Sequence, residues 1–561
     1  MRLTSTALFR KNALLVFFLL QLTFVANAQP RVLTAEQWQQ DLQHLASELP
    51  KKHREPFHKI TRVAFDSAVA ELSQQIPMLE DHKIIVGFAR LIAMLGDGHT
   101  RLTLPQDLAV AHSRAHTTTP PPSDSALFFH QLPVRFEWFD DGLYIKEAAP
   151  KYKDLISAKV IEVGTVPAED ALEKIRPATH YDNEIGFKFQ ASKYLEVPEI
   201  LHTFNLAKTR TQVQLKIKDT KGKLRTVELD ALPMFKAVQF VGAPAALKIP
   251  VALSESRLKD KFWMTYLPNH RALYVQLNEV YDKEDELLVD FTKRIEQAVA
   301  ENKVERLVLD LRHNPGGNNF LSRPLVLALV RLNELNQFGK LYTLIGRETF
   351  SAAQMLANNL EYFTNTLFVG EPSGASPSGY GDSKKFQLPN SKLTVRASSI
   401  YWRDWNGNEN RPWTTPDIPV AYTASTYFKG QDPVLDAALT FNGNMADIVK
   451  AVFDKSGFNS ATWTYIRYKN DSRYNAQVLE TTEKEFGKHL LEQKKFNEAA
   501  GWYSYVSSLH PKEVWPLLGL AKAQLLNNKP IDARNTVEKA LALNPDHKEV
   551  KELQREINSK Q

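Results

Sequence analysis

The sequence predicts a multidomain α/β protein, and three observations carry that expectation. A chain of 561 residues is too long for one hydrophobic core. The apolar periodicity switches along it from helical, to alternating, to strand followed by helix. Its C-terminal part, residues 471–561, is charged, helical and internally repeated.

Residues 1–28 read as a signal peptide. Arg2, Arg10 and Lys11 precede the apolar run Leu14 to Ala26, and Ala26-Asn27-Ala28 puts small residues where a signal peptidase reads. Cleavage is expected between Ala28 and Gln29. The run is shorter than the ~20 residues that span a bilayer, so no transmembrane anchor is expected after cleavage and the mature chain is expected to be periplasmic or secreted. Residues 29–111 are expected to be helical, with apolar residues at helical spacing through Trp38, Leu42, Leu45 and Leu49 and again from Ile84 to Leu95. The second run stops at Gly96-Asp97-Gly98, before His99. A Pro/Thr-rich linker follows over 112–131.

Residues 132–232 alternate like strands, as in Val134-Arg135-Phe136-Glu137-Trp138 and Gln212-Val213-Gln214-Leu215-Lys216-Ile217, with a helical stretch between about 166 and 206. Residues 233–440 hold an α/β core. Arg306 to Leu311 is a near-continuous apolar strand of the kind buried in parallel sheets, and it lies among alternating helices and strands. A linker is expected over 441–470. In the tail, Pro511 and Pro545 are 34 residues apart, and Gly487/Ala521 and Ala499/Ala533 repeat in the same register. That is the period of tetratricopeptide-like repeats, and two copies need a neighbouring helix or domain to lean on.

Composition narrows the functions. The formal charge is +6, three charges of which lie in the leader, and the basic residues form no stripe, so no nucleic-acid partner is expected. There is no cysteine, which excludes disulfides, a thiol nucleophile, cysteine–zinc sites and a lipoprotein anchor. His112 and His116 have helical spacing, but they sit in the linker with no acidic residue between them. Neither a metal nor a cofactor is expected.

Two segments carry chemistry. In Asp310-Leu311-Arg312-His313-Asn314-Pro315-Gly316-Gly317 a buried strand ends in adjacent glycines, which frees main-chain N–H groups to face a ligand. Read alone, it is equally a tight turn. In Leu344-Ile345-Gly346-Arg347-Glu348-Thr349-Phe350-Ser351-Ala352 a strand turns into a helix and places Ser351 at the helix start. A nucleophile there lies at the positive end of the helix dipole, but most serines at helix starts are simply N-caps.

Taken in order, these segments resemble the tail-specific (C-terminal-processing) and tricorn-type serine peptidases. That family pairs a DLRxNxGG loop with a strand-to-helix serine. A glycine–glutamate turn (Gly370-Glu371), an LPxS hairpin (Leu388-Pro389-Asn390-Ser391) and a PDI strand (Pro416-Asp417-Ile418) follow. The resemblance implies a crotonase/ClpP-like core over 233–440 and a PDZ-like module over 132–232. It also implies Ser351 as nucleophile, with an oxyanion hole from the N–H of Ala352 and of Gly316 or Gly317. Members of the tail-specific branch use a lysine about 25 residues after the serine, but residue 376 is serine and no lysine occurs before Lys384. Tricorn-like members use a histidine in an N-terminal loop, here Asp97-Gly98-His99-Thr100. A neutral imidazole suits that task at neutral pH. The resemblance implies Glu409 as the group orienting His99, with Asp97 as the local competitor. Gly98 stands where the tricorn type has a serine, for which Thr100 is a substitute. The expected function is an exported serine peptidase acting on peptides or protein C-terminal tails, with a protein partner at the repeats. The alternatives are an inactive ligand- or peptide-binding protein on the same fold, or a repeat-based adaptor.

Overall fold

The computed structural model describes residues 32–105, 129–234, 238–407, 409–441, 444–470 and 476–559. The leader and most of the first linker, with His112 and His116, lie outside the described residues. The chain divides into two compact units: Met1–Pro250 with Gly374–Pro412, and Val251–Ser373 with Trp413–Gln561. The segment 374–412, expected within the α/β core, is thus part of the first unit.

In the first unit, three helices open the described chain: Ala35–Lys52, Arg62–Gln75 and Asp81–Ala93. Thr34 and Gln37 form a capping box that starts the first, because each side chain satisfies the other's otherwise orphaned N–H. The apolar stripe Trp38, Leu42, Leu45 and Leu49 is fully buried, and Trp38 Nε1 donates to Asp81 Oδ1 at 2.8 Å. Beside these helices a hairpin, Gly379–Gln387 and Thr394–Trp402, pairs with the short strand Arg101–Leu102. The Leu388-Pro389-Asn390-Ser391 turn of that hairpin is held by buried Asp41, whose two carboxylate oxygens accept from the N–H groups of Asn390 and Ser391 at 2.7 and 2.8 Å. The same unit contains a seven-stranded sheet. Its central path runs Val241–Gly242, Gly142–Ala148, Lys159–Val163, Gln212–Lys218, Leu224–Asp230. Helices Ala168–Ile175, Glu184–Tyr194 and Pro198–Thr203 interrupt it, where a helical stretch was expected.

In the second unit, six strands lie side by side in chain order: Phe262–Leu267, Ala272–Leu277, Arg306–Asp310, Leu341–Ile345, Leu367–Gly370 and Ile418–Pro419. The first pair is antiparallel and the remaining four pairings are parallel. Parallel strands need helical crossovers that cover the sheet, which is why these segments are apolar almost throughout. Leu288, Phe291, Ile295, Leu325, Leu329, Leu356 and Leu360 from three such helices bury one face. Val434, Leu435, Ala438 and Leu439 bury the other.

The same unit carries the tail. Residues 441–470 were expected to be a linker, but Met445–Lys469 is a helix interrupted at Gly457 (φ 79°). The reason is its apolar face: Val449, Ala461 and Tyr465 are buried against Phe486, Leu490 and Trp502 of the repeats. It is the neighbouring helix that two repeat copies require. Arg467 ties it back by donating to Asp417 Oδ1 at 2.7 Å. The repeats are the helix pairs Ala476–Glu492/Phe496–Leu509 and Val514–Leu526/Pro530–Leu543, closed by Lys548–Ser559. Glycine is required where helices meet. A Cβ on Gly487 or Gly519 would stand 2.4 or 2.3 Å from the Tyr503 ring, which lies between them.

Candidate active site

The second unit holds Ser351, Ala352, Gly316 and Gly317. Strand Leu341–Ile345 runs through a short turn into helix Ala352–Phe363. Thr349, fully buried, braces that turn: its hydroxyl accepts from Gly346 N at 3.0 Å and donates to the Leu311 carbonyl at 2.9 Å. Ser351 stands at the N-cap position with φ 53° and ψ −122°, and its side chain makes no capping bond to the helix. An L-residue in that region stores about 1–3 kcal/mol of strain and persists only where its surroundings over-determine it. The strain turns the serine out of the ordinary N-cap geometry, in which the side chain folds back on the first turn.

The glycine loop supplies the surroundings. Gly316 has φ +113°, and a Cβ there would lie 2.6 Å from Ser351 Cβ and 2.9 Å from Ala352 N. Gly317 has φ +145° and leaves no space against the Val280 carbonyl, 2.4 Å from an added Cβ. Asn314, fully buried, sets the loop: its Oδ1 accepts from Gly316 N at 2.9 Å, its Nδ2 donates to the Leu277 carbonyl at 2.8 Å, and its own carbonyl accepts from Phe350 N at 3.1 Å. The Gly316 N–H is therefore occupied. The main-chain donors left beside Ser351 are those of Gly317 and Ala352, neither of which has a hydrogen-bond partner among the described residues. Two unpartnered main-chain donors near a serine hydroxyl are what an oxyanion site requires.

The rest of the Asp310–Gly317 motif is scaffold. Arg312 is ion-paired to Asp310 and Asp432 at 2.7 Å each, with Ser254 Oγ donating to Asp432 Oδ2 at 2.9 Å and Tyr274 Oη to Asp310 Oδ2 at 2.7 Å. The paired Arg312 guanidinium holds Asp432 down at about 2 against burial, which pushes the other way. Asp417 of the PDI strand accepts from Phe368 N at 2.8 Å. His313 lies 3.6 Å from Glu348.

The first unit holds His99, Asp97, Thr100 and Glu409. Asp97 is 3% exposed and organises the loop: Oδ1 accepts from His99 N (3.0 Å), Thr100 N (2.7 Å) and Ser398 Oγ (2.7 Å), while Oδ2 meets His53 Nε2 at 2.9 Å. Because His53 Nδ1 accepts from Glu55 N at 3.0 Å, Nε2 carries the proton and donates. Burial raises the Asp97 carboxyl, but the bonds from His53 and Ser398 outweigh it and bring it to about 2. Thr100, also fully buried, donates to Ser398 Oγ at 3.1 Å. Gly98 N donates to Asp182 Oδ1 at 2.6 Å; burial first, then the Asp97 charge, pushes Asp182 up to about 7.

The His99 imidazole bonds the Tyr380 main chain and lies against Gly381, at whose position a Cβ would be 3.9 Å from Nε2. Burial pushes it down to about 4, with Asp97 and Asp382 pulling upward and Arg101 adding to the fall. It is neutral at physiological pH. Asp97 thus grips His99 through its main chain. Both oxygens of Glu409 are engaged by Arg411, from N at 2.6 Å and from Nε at 2.8 Å. Sequence reasoning missed Asn314, His53 and Ser398. Asn314 had a signal, its place two residues before a glycine pair; His53 and Ser398 had none, being 44 and 301 residues from Asp97.

The fold is similar to that of mature CPAF complexed with lactacystin, with a TM-score of 0.53 at 14% identity, covering 73% of this chain and 99% of that one. A second structure of mature CPAF gives 0.51 at 16% identity over 73% and 98%. The photosystem II D1 C-terminal processing protease gives 0.34 at 14% identity over 72% and 97%. Residues 490–557 match the tetratricopeptide repeat. No curated protein matches the sequence. The chain therefore has the mixed α/β fold of CPAF, with a tetratricopeptide helical region at its C-terminal end. No described helix is long and apolar enough to cross a membrane.

Proposed function

We propose that this protein is an exported serine peptidase that cleaves peptides or protein C-terminal tails through an acyl-enzyme. The observation that carries the reading is the strained backbone of Ser351, held against Gly316 beside the Gly317 and Ala352 N–H groups. A structural N-cap serine needs neither the strain nor the donors. In this reading Ser351 Oγ attacks the scissile carbonyl carbon and gives its proton to His99. The N–H groups of Gly317 and Ala352 hold the oxyanion, His99 returns the proton to the leaving amine, and water then hydrolyses the ester.

His99 is the base because its imidazole is kept neutral by burial, and because no lysine lies between Ser351 and Lys384. Asp97 holds it through the main chain, and Glu409 is the second carboxylate offered for orientation. The seven-stranded module is read as PDZ-like, presenting a strand edge to a substrate terminus, and the repeats as a docking arm for a protein partner. The leader at 1–28 directs export to the periplasm or medium, where Ala28–Gln29 is cut.

Hydrolysis of an unfolded protein such as casein by the purified chain tests the reading. Activity that falls at least a hundredfold in both Ser351→Ala and His99→Ala is expected. Retention of activity in Ser351→Ala rejects it.

A further inference from the structure

A second constellation lies in the first unit, formed by residues that the peptidase reading does not use. Helix Asp81–Ala93 begins at Glu80, whose side chain makes no capping bond, and His82 is in its first turn. His202 is in the last turn of helix Pro198–Thr203. Packing brings His82 Nε2 within 2.9 Å of His202 Nδ1 and His82 Nδ1 within 3.8 Å of Glu80 Oε2. One oxygen of Glu80 and one ring nitrogen of each histidine all lie within 4.8 Å of one another.

Hydrogen bonding alone leaves this group incomplete. An N–H···N bond between the rings uses one proton and one lone pair. His82 is only 3% exposed, and its Nδ1 is buried with no hydrogen-bond partner. The nitrogens that face each other, His82 Nε2 and His202 Nδ1, are the pair an ion takes, while His82 Nδ1 stays beside Glu80 Oε2 at 3.8 Å.

We propose that Glu80, His82 and His202 form a Zn²⁺ site. Two imidazole nitrogens and a carboxylate oxygen are a borderline donor set that suits zinc over magnesium or calcium. Three protein ligands leave a fourth position to water. Zn–N bonds of about 2.0–2.1 Å at a tetrahedral angle need the nitrogens ~3.3 Å apart, so the rings separate by a few tenths of an ångström on binding. Lys83 Nζ, 3.2 Å from Glu80 Oε1, and the nearby Arg210 oppose a dication. The site is therefore of moderate affinity, and Lys83 moves off Glu80 when it fills. The ion joins the start of the helix that leads to the His99 loop to an element 120 residues away in sequence.

Equilibrium dialysis of the full-length chain against Zn²⁺, and Co²⁺ absorption in the visible range, test this. His202→Ala is the principal variant because His202 is only half-buried, with His82→Ala and Glu80→Gln beside it. The proposal expects one Zn²⁺ equivalent fewer in His202→Ala and a tetrahedral Co²⁺ band lost with it. It expects affinity in Glu80→Gln to be at least tenfold weaker. Equal Zn²⁺ stoichiometry and affinity in wild type and in natively folded His202→Ala overturns it.

Discussion

Gly316 has no room for a side chain because Ser351 occupies it: a Cβ at 316 would stand 2.6 Å from Ser351 Cβ. The glycine and the serine are fitted to each other, each with a backbone that ordinary residues avoid, φ +113° and +53°. Gly316→Ala is expected to displace Ser351 or the Ala352 N–H, lowering kcat/KM by ~10²–10³, the size of a lost oxyanion donor. Peptide hydrolysis beside circular dichroism checks it, and a folded Gly316→Ala variant with native activity contradicts it.

Asn314 acts one step behind that contact. Asn314→Ala leaves the buried Gly316 N–H and Leu277 carbonyl without partners, at about 1–3 kcal/mol each. A stability loss of about 2–5 kcal/mol in urea unfolding is expected, together with lost activity. Asn314→Asp keeps the acceptor and is expected to fall between.

The imidazole of His99 is expected to set an acid limb. It is held at about 4 in the folded chain against an ordinary 6.5, so it remains an available base well below pH 6. The log of kcat/KM is expected to turn down nearer pH 4 than 6.5. The sign for stability follows from the same shift. Below 6.5 the unfolded chain takes the proton and the folded chain does not, so this group's contribution is complete above 6.5 and is lost as pH falls toward 4. A limb at 6.5 in natively folded protein contradicts the depression of the His99 imidazole by burial.

Asp97 and Glu409 make separable predictions. Asp97→Asn removes the charged acceptor of the buried His53 Nε2–H, and a loss of about 1.5–3 kcal/mol is expected. The Asp97 carboxyl is brought to about 2 from 3.8. Its share of stability is therefore present above pH 3.8 and lost as pH falls through 2. Glu409→Gln loses the ion pair with Arg411, and with it activity if Glu409 also orients the imidazole. Thermal melts with kcat on one peptide separate structural from positioning effects.

The tail is continuous with its own neighbour helix. Removing 471–561 uncovers Val449, Ala461 and Tyr465, so the truncated chain is expected to bind a hydrophobic dye and melt at lower temperature. Unchanged melting contradicts that packing.

Much of this was legible in the sequence. Strand–helix alternation gave the α/β core because burial on both faces demands apolar strands, and the 34-residue proline spacing gave the repeats. The Gly316–Gly317 loop showed its backbone freedom in its composition. The φ of Ser351 did not show, since Phe350-Ser351-Ala352 contains no glycine to mark a left-handed residue. The bracing of His99 by His53 and Ser398 was hidden because only folding joins them to Asp97. The helix at 445–469 was read as a linker because Gly457 interrupts its pattern and its buried face is completed only by the repeats, although Asn444 caps its start.

The central claim is that Ser351 is a nucleophile. Labelling with a fluorophosphonate probe, followed by peptide mapping by mass spectrometry, tests it most directly. The account predicts one adduct on Ser351 in wild type, sharply reduced in His99→Ala and absent in Ser351→Ala. Equal labelling of wild type and Ser351→Ala would contradict it.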